Sequence, residues 1–338
     1  MTKIAKESGL KADEPMLVGA GKLFTYLWDV AWRNAPGTLE GDVEALHDMR
    51  VAMRRLRTAL QNFEGPKHAA PDATLVPRHL RREMEEQRRQ LGKLGDALGA
   101  VRDFDVLRED VDGYIQQHAG TDAEEHPGLQ ALCRYLQAER EAVFPKMVKR
   151  LKKAAEPGGL REQFARFALG ITAVETQPLL LRGAAQLIVP QRVAEVLDNA
   201  HTLDDDEDAV GHHEFRKSLR RLRYALETLA PCLPESPTAH IKLLTQLQDY
   251  LGEMQDLDVL RTTVAAAFKG DKAPPAEDVT AFFAYGERRT HELLGQTRAL
   301  WTEQQQRNWP QSLAHGAPHL PVPQIPVPEI PVPDAEAS

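Results

Sequence analysis

One arginine-rich segment occurs twice in this chain, and the repeat constrains the fold more than any other feature. Residues 47–60 read HDMRVAMRRLRTAL and residues 213–226 read HEFRKSLRRLRYAL, so both fit H-x-x-R-x-x-x-R-R-L-R-x-A-L. A second pair follows in the same order, because residues 94–108 and 247–261 share L-x-D-x-L-G-x-x-x-D-x-D-V-L-R. Two motifs that recur in one order predict a duplicated helical unit.

Apolar residues recur at helical spacing along most of the chain and no run alternates with a period of two, so the sequence predicts an all-α fold. We expect two pseudo-symmetric helical bundles, residues 16–176 and 177–308, around a shared basic cleft. Residues 1–15 are expected to form a flexible leader. The predicted helices span residues 16–34, 41–63, 75–117, 128–155, 160–176, 182–202, 211–230, 237–269 and 277–308.

The C-terminal segment, residues 309–338, has a different composition. Residues 320–334 read LPVPQIPVPEIPVPD, and their prolines remove amide donors and fix φ, which excludes a helix or a central strand. This tail is predicted to be disordered or an extended polyproline II segment. We expect it to be solvated or to present a docking peptide to a protein partner.

Charge and composition limit the classes of partner. The net charge is −8, which argues against a protein that coats nucleic acid, so any anion site must be a local basic patch. No apolar run approaches the length of a membrane span, and the first residues lack the apolar core of a secretory signal. The cysteines, Cys133 and Cys232, follow no metal or redox spacing. These features predict a cytoplasmic protein without a membrane partner.

The repeated segment places its basic residues on one face of a helix. With about 100° per residue, the histidine and three of the arginines of each copy share an arc of about 80°. The arcs contain His47, Arg50, Arg54 and Arg57 in the first copy and His213, Arg216, Arg220 and Arg223 in the second. An apolar stripe beside each arc should face the core. Arg55 and Arg221 point away from the arcs and are expected to lie on the ordinary surface.

Arginines stacked on one helix face repel one another and need counter-charges. The protein's own carboxylates on a solvated face could supply them, or an anionic ligand between two facing arcs could. Guanidinium groups bind phosphate oxygens in pairs, so the second alternative favours a ligand with many phosphates. The histidines could donate to such a ligand or hydrogen-bond near a helix start. Arg89 and Lys242 occupy matched positions and are further candidates, with solvated surface as the alternative.

The aspartates of the second motif are expected to be structural. Asp103 and Asp105, and likewise Asp256 and Asp258, are two residues apart and so lie on different sides of a helix. That spacing does not suit a shared metal ion, and we expect the carboxylates to orient arginines or cap a helix. No metal site, catalytic residue or cofactor is predicted.

Taken together, the two motif pairs resemble the CHAD family, the histidine-bearing α-helical domains. The resemblance covers most of residues 16–308 and includes no triphosphatase-type domain. It implies two helical bundles around a basic cleft and binding of inorganic polyphosphate, in some members on polyphosphate granules. We expect the binding to be non-enzymatic and to tether or organise polyphosphate. Carried over by position, the basic arcs are the implied binding residues. Gln255 stands where the first copy has Arg102, so a role for that arginine on both sides is not implied.

Two other functions are open to the sequence. His47 and Asp48 resemble the start of a metal-dependent phosphohydrolase site, but the second copy has His213 and Glu214, and neither a complete ligand set nor a glycine-rich phosphate loop is present. A helical nucleic-acid-binding protein is the other alternative. It is disfavoured by the net charge and by the lack of aromatic stacking platforms beside the arginines.

Overall fold

The computed structural model describes residues 1–65, 75–118, 126–174, 179–267, 277–311 and 313, and in these ranges the chain is helical and contains no β-strand. The all-α prediction is therefore confirmed. The helices are α1 (Lys3–Glu7), α2 (Met16–Arg33), α3 (Ala35–Glu40), α4 (Val43–Glu64), α5 (Arg78–His118), α6 (Pro127–Ala155), α7 (Leu160–Gly170), α8 (Leu181–Asn199), α9 (Ala209–Leu229), α10 (Thr238–Ala267) and α11 (Glu277–Gln306).

Most predicted helices agree with the structure to within a few residues. The helix predicted over 160–176 is shorter, because α7 ends at Gly170 and a 3-10 turn continues to Ala173. Two helices, α1 and α3, were not predicted. They contain only 5 and 6 residues, too few for a helical period to show in the sequence.

Both arginine-rich helices begin at an aspartate cap. The Asp42 side chain accepts a hydrogen bond from the amide of Ala45 at 2.7 Å, which starts α4. The Asp208 side chain accepts one from the amide of Gly211 at 2.8 Å, which starts α9. Asp42 and Asp208 each stand five residues before the motif histidine, so the repeat extends to the caps. The caps fix where each helix starts and hence where its basic arc points.

The apolar stripes beside the basic arcs are buried as predicted. Their exposed fractions are 0–1% throughout, and the residues are Met49, Met53, Leu56 and Leu60 in α4 and Phe215, Leu219, Leu222 and Leu226 in α9. Burying each of these side chains contributes about 1.5–3 kcal/mol, so the stripe decides which face of each helix is left for the arginines.

The helices of the two halves have matching neighbours. In the first half α4 packs between α2 and α5, and α5 packs on α6. In the second half α9 packs between α8 and α10, and α10 packs on α11. The halves meet where α4 contacts α9 and α5 contacts α10. This arrangement brings the two arginine-rich helices side by side.

The interior is shared between the halves. One cluster of buried apolar side chains runs from Phe24 in α2 through Leu56 in α4 to Phe215 in α9 and Leu247 in α10. Another cluster joins the far ends of α5, α6, α10 and α11 around Phe282. Because both clusters take residues from both halves, α4 and α9 are held against each other by a continuous core.

A buried arginine adds a polar link between the halves. Arg192 in α8 is only 1% exposed. Its Nε donates to Oδ1 of Asn62 at 2.8 Å and its Nη2 donates to the carbonyl oxygen of Gln61 at 3.2 Å, both in α4, while Nη1 pairs with Glu195. A buried guanidinium that is satisfied in this way fixes the register of α8 against α4.

The predicted flexible leader, residues 1–15, is corrected by the structure. Ile4 and Leu10 are buried with 8% and 4% exposure, and α1 packs against α9. The Thr2 hydroxyl donates to the carbonyl oxygen of Glu227. The prediction failed because a five-residue helix shows no period, although its apolar residues pack on the body like those of longer helices.

The predicted start of the tail at residue 309 is also corrected. Trp309 is 3% exposed, its ring contacts Trp301 edge-on at 6.0 Å, and its Nε1 donates to Nδ1 of His240 at 3.0 Å. The folded body therefore extends past the end of α11. The proline-rich repeat lies outside the described residues, so its extended conformation stays a prediction.

Within the described ranges, each helix is too short or too polar to cross a membrane.

We predict that the N-terminal segment stabilises the fold. Deleting residues 2–10 should lower the free energy of unfolding by on the order of 3 kcal/mol, because two buried aliphatic side chains are lost. The measurement is thermal or urea unfolding, with deletion of residues 316–338 as the matched control that should leave unfolding unchanged. Equal unfolding of the N-terminal deletion and the full chain would show that α1 adds no stability.

Candidate functional site

The basic arcs of α4 and α9 meet at the contact between these helices. Arg216 and Arg220 on α9 are close enough to Arg50 and Arg54 on α4 for their positive charges to repel. We call these four side chains the arginine cluster. The two basic arcs that were predicted from helical spacing therefore face one common site.

Burial and mutual repulsion destabilise the charged forms in this cluster. Burial, with a smaller effect of Arg54, lowers the pKa of Arg220 to about 10. Burial also lowers the pKa of Arg216, as do Arg54 and Arg50, against the opposing effect of Asp256. The pKa of Arg50 is lowered mainly by burial, which outweighs its partner Asp103. Because nearby negative charge does not offset the burial and repulsion of these cations, the site favours the binding of an anion.

Carboxylates reach few of the predicted binding arginines. Arg50 pairs with Oδ1 of Asp103 at 3.1 Å, and Arg223 lies 3.8 Å from Oε1 of Glu227. In the described part of the chain no carboxylate forms an ion pair with Arg54, Arg57, Arg216 or Arg220. The alternative in which the protein's own acids neutralise the arcs is therefore met only in part.

Tyr224 lies at the centre of the guanidinium groups. Its hydroxyl accepts a hydrogen bond from Nε of Arg54 at 3.1 Å, across the interface between α9 and α4. The guanidinium carbons of Arg55 and Arg223 lie 5.2 and 5.3 Å from its ring centroid. Burial would raise the pKa of Tyr224, but Arg54, Arg223, Arg55 and Arg220 outweigh that effect and lower it. The tyrosine thus holds arginines of both halves in place by a hydrogen bond and cation–π contacts.

Gln255 orients the second copy of the motif. Its Oε1 accepts from Nη1 of Arg216 at 2.9 Å and lies 2.8 Å from Nδ1 of His213. In the first copy the matching Arg102 donates to both carboxylate oxygens of Glu109, at 2.7 and 3.0 Å. Arg102 is therefore tied to its own helix, and a neutral amide takes its place on the other side.

The aspartates of the second motif act as predicted where a partner is seen. Asp103 orients Arg50, and Asp105 forms a buried pair with Arg140 of α6. Asp258 pairs with Arg261 within α10 at 2.9 Å. These contacts fit the structural role expected of the two pairs.

Some predicted residues lie apart from the cluster or show no contact with it. Arg89 is exposed and makes a two-point pair with Glu86, at 2.8 and 2.7 Å. Lys242 is exposed and lines a cavity of about 530 Å³ that also contains Arg55. His47 is half-buried, and no side-chain hydrogen bond to it occurs among the described residues.

Arg55 and Arg221 correct the expectation of ordinary surface. Arg55 is half-buried, lies 3.1 Å from Oε2 of Glu227 and faces the ring of Tyr224. Nε of Arg221 lies 3.0 Å from Oε2 of Glu195. Helical spacing correctly predicts that both residues lie off the basic arcs. It cannot show that residues of other helices pack against that side of α4 and α9.

A group of carboxylates lies beside the cluster, where α5 contacts α10. Burial, with the charges of Asp256, Glu109 and Glu253, raises the pKa of Asp110 to about 7. Its Oδ2 is buried without a hydrogen-bond partner. Within the described ranges, no three or more His, Cys, Asp and Glu side chains are arranged to hold a metal ion.

Comparison with known proteins agrees with the fold. The family model of the CHAD domain matches residues 23–265. The structure resembles that of the CHAD domain from the plant Ricinus communis, with 24% identity, a TM-score of 0.59, and coverage of 93% of this chain and 96% of that one. PptA from Streptomyces chartreusis has 16% identity and a TM-score of 0.60, with coverage of 86% and 100%. No curated protein matches this chain significantly.

We predict that neutralising Asp110 stabilises the protein only at higher pH. Folding raises the pKa of this carboxyl group from 3.8 to about 7. The protein therefore loses stability as the pH rises through this interval, because the folded state must then hold a buried charge. Asp110→Asn should therefore raise Tm by a few degrees at pH 8 and leave it nearly unchanged at pH 4.

The measurement is Tm against pH for both proteins. Asp96→Asn, at an exposed position on the same helix, is the control and should follow the wild type at every pH. If the curves of wild type and Asp110→Asn ran parallel from pH 4 to 8, the buried carboxylate would be excluded as the cause.

Proposed function

The chain belongs to the CHAD domain family, and from this premise we propose that it binds inorganic polyphosphate at the arginine cluster without cleaving it. The family is associated with polyphosphate. The observation that carries the proposal is the set of arginines from two helices that lie together with few carboxylate partners. A polyanion would supply the missing negative charge.

A chain of phosphates suits the two basic arcs better than one phosphate does. Arg50 and Arg57 are seven residues apart on α4, which is about 10 Å along the helix axis. Arg216 and Arg223 repeat this spacing on α9. A ligand with a phosphate at each of several successive positions can contact both helices at once, and guanidinium groups pair well with phosphate oxygens.

The surroundings of the arginines favour polyphosphate over nucleic acid. Proteins that bind single strands stack bases on exposed aromatic rings. The aromatic ring beside the cluster, Tyr224, is only 3% exposed and already contacts Arg55 and Arg223. A nucleic acid would therefore gain phosphate contacts here without base stacking. Competition between long-chain polyphosphate and RNA tests this point, and stronger binding of RNA would overturn it.

Binding without turnover would suit a tether for polyphosphate. We propose that the protein attaches to or organises polyphosphate granules in the cytoplasm. Incubating the protein with long-chain polyphosphate and Mg²⁺ or Mn²⁺ tests the enzymatic alternative, and release of phosphate at a rate above buffer would replace the tether with a phosphohydrolase.

We predict that affinity for polyphosphate falls steeply with salt. Each phosphate that a cation neutralises releases counterions, and for single strands the slope of log K against log salt is about −0.7 per contact. Contacts from both helices should give a slope of about −3 or steeper. Isothermal titration or fluorescence at several salt concentrations measures it, and a slope near zero would exclude a multi-arginine site.

We also predict that both halves are needed. Changing Arg50, Arg54 and Arg57 to Gln, or Arg216, Arg220 and Arg223 to Gln, should each weaken binding more than tenfold, about 1.4 kcal/mol, since a polyvalent ligand loses half of its contacts.

The matched control changes three exposed arginines that form no ion pair within the described residues, namely Arg134, Arg166 and Arg288. This control removes the same charge elsewhere on the body. If the control weakened binding as much as either triple substitution in the arcs, affinity would depend on net charge alone and the assignment of the binding site would be wrong.

A further inference from the structure

Glycines occur inside the long helices that flank the arginines, where helix propensity disfavours them. Gly92 and Gly99 lie within α5 and Gly252 lies within α10, and all three are buried. A glycine inside a helix is less favourable than alanine because it has more freedom to lose on folding. Their presence calls for a local reason.

An arginine side chain lies against each of these glycines, most closely at Gly252. A Cβ atom on Gly252 would lie 2.5 Å from Nη2 and 3.0 Å from Cζ of Arg216. A Cβ on Gly99 would lie 3.4 Å from Nε of Arg50, and one on Gly92 would lie 3.4 Å from Nη2 of Arg57. In each case the three nearest atoms are guanidinium atoms of that arginine and not the backbone of its helix. The 3.4 Å distances are ordinary van der Waals contacts, whereas an added Cβ at Gly252 would force the arginine to move.

A glycine and an arginine at matched positions meet in both halves of the repeat, more closely in the second half. Gly99 and Gly252 hold the same place in the second motif, and Arg50 and Arg216 hold the same place in the first. Each glycine therefore contacts the arginine of its own half of the repeat. The recurrence links the two sequence motifs: the first supplies the guanidinium group and the second supplies the surface on which it lies.

We propose that Gly252 is a positioning residue of the polyphosphate site, an inference that rests on the proposed function. The absent side chain lets the guanidinium group of Arg216 lie close against the backbone of α10. At Gly252 this position allows Nη1 of Arg216 to reach Gln255 at 2.9 Å. The glycine lowers the stability of the helix but permits the arginine position that the site requires, and functional sites often show this loss of stability.

The test uses Gly252→Ala, because its Cβ makes the closest approach. The far end of an arginine can move, so the fold should persist and Tm should be equal to that of the wild type or higher by about 1–3 °C. Polyphosphate affinity should nevertheless fall at least threefold. Gly295→Ala, at a position in α11 with no atom within 4 Å of the added Cβ, is the control and should leave affinity unchanged.

A double-mutant cycle separates positioning from general damage. In the Arg216→Gln background, Gly252→Ala should cause no further loss of affinity, because the side chain that it displaces is gone. An equal loss in both backgrounds would overturn the inference. So would unchanged affinity of Gly252→Ala, or a Tm below that of the wild type.

A separate readout applies if the wild type fails to bind polyphosphate, which would refute the proposed function alone. The Nε–H resonance of Arg216 in an NMR spectrum should shift in Gly252→Ala and stay in place in Gly295→Ala. A resonance that does not move in Gly252→Ala would refute the positioning role independently of any ligand.

Discussion

Repulsion between arginines on two adjacent helices is the constraint on which the site depends. The core forces α4 and α9 together through buried stripes that include Leu56 and Leu222. That packing brings Arg54 and Arg220 near each other with no carboxylate paired to either in the described chain. Like charges in a partly buried place cost stability unless an anion joins them. Hydrophobic burial in the core therefore maintains an electrostatic arrangement that is unfavourable without a ligand.

The two halves use different partners to orient their arginines. In the first half Asp103 partly neutralises Arg50. In the second half a neutral amide, Gln255, orients Arg216 and leaves its charge intact. Tyr224 has no counterpart in the first copy, where Thr58 stands and bonds to its own helix. Each half nevertheless leaves two arc arginines without a carboxylate ion pair in the described chain, Arg54 and Arg57 in the first and Arg216 and Arg220 in the second.

Features that depend on local periodicity could be predicted from the sequence. The buried stripes and the basic arc beside each stripe follow from residues three and four apart, and the role of Asp103 follows from its spacing. The repeat of the motifs, rather than local periodicity, led to the expectation that the two arcs share one site. Long-range contacts could not be predicted in this way. Arg54 and Tyr224 are 170 residues apart, and Thr2 reaches Glu227 over 225 residues. No local pattern specifies which side chains meet across such distances, so neither the packing of the N-terminal segment nor the half-buried position of Arg55 could be predicted from the sequence.

The most direct test of uncompensated charge is the thermal unfolding of Arg220→Gln with and without long-chain polyphosphate. Arg220 has no hydrogen-bond or ion-pair partner among the described residues, and its pKa is lowered to about 10 by burial and neighbouring arginines. The variant should melt above the wild type without ligand, because repulsion is relieved, and should gain less Tm when polyphosphate is added. A variant that melts below the wild type without ligand, and gains as much from polyphosphate, would contradict the account.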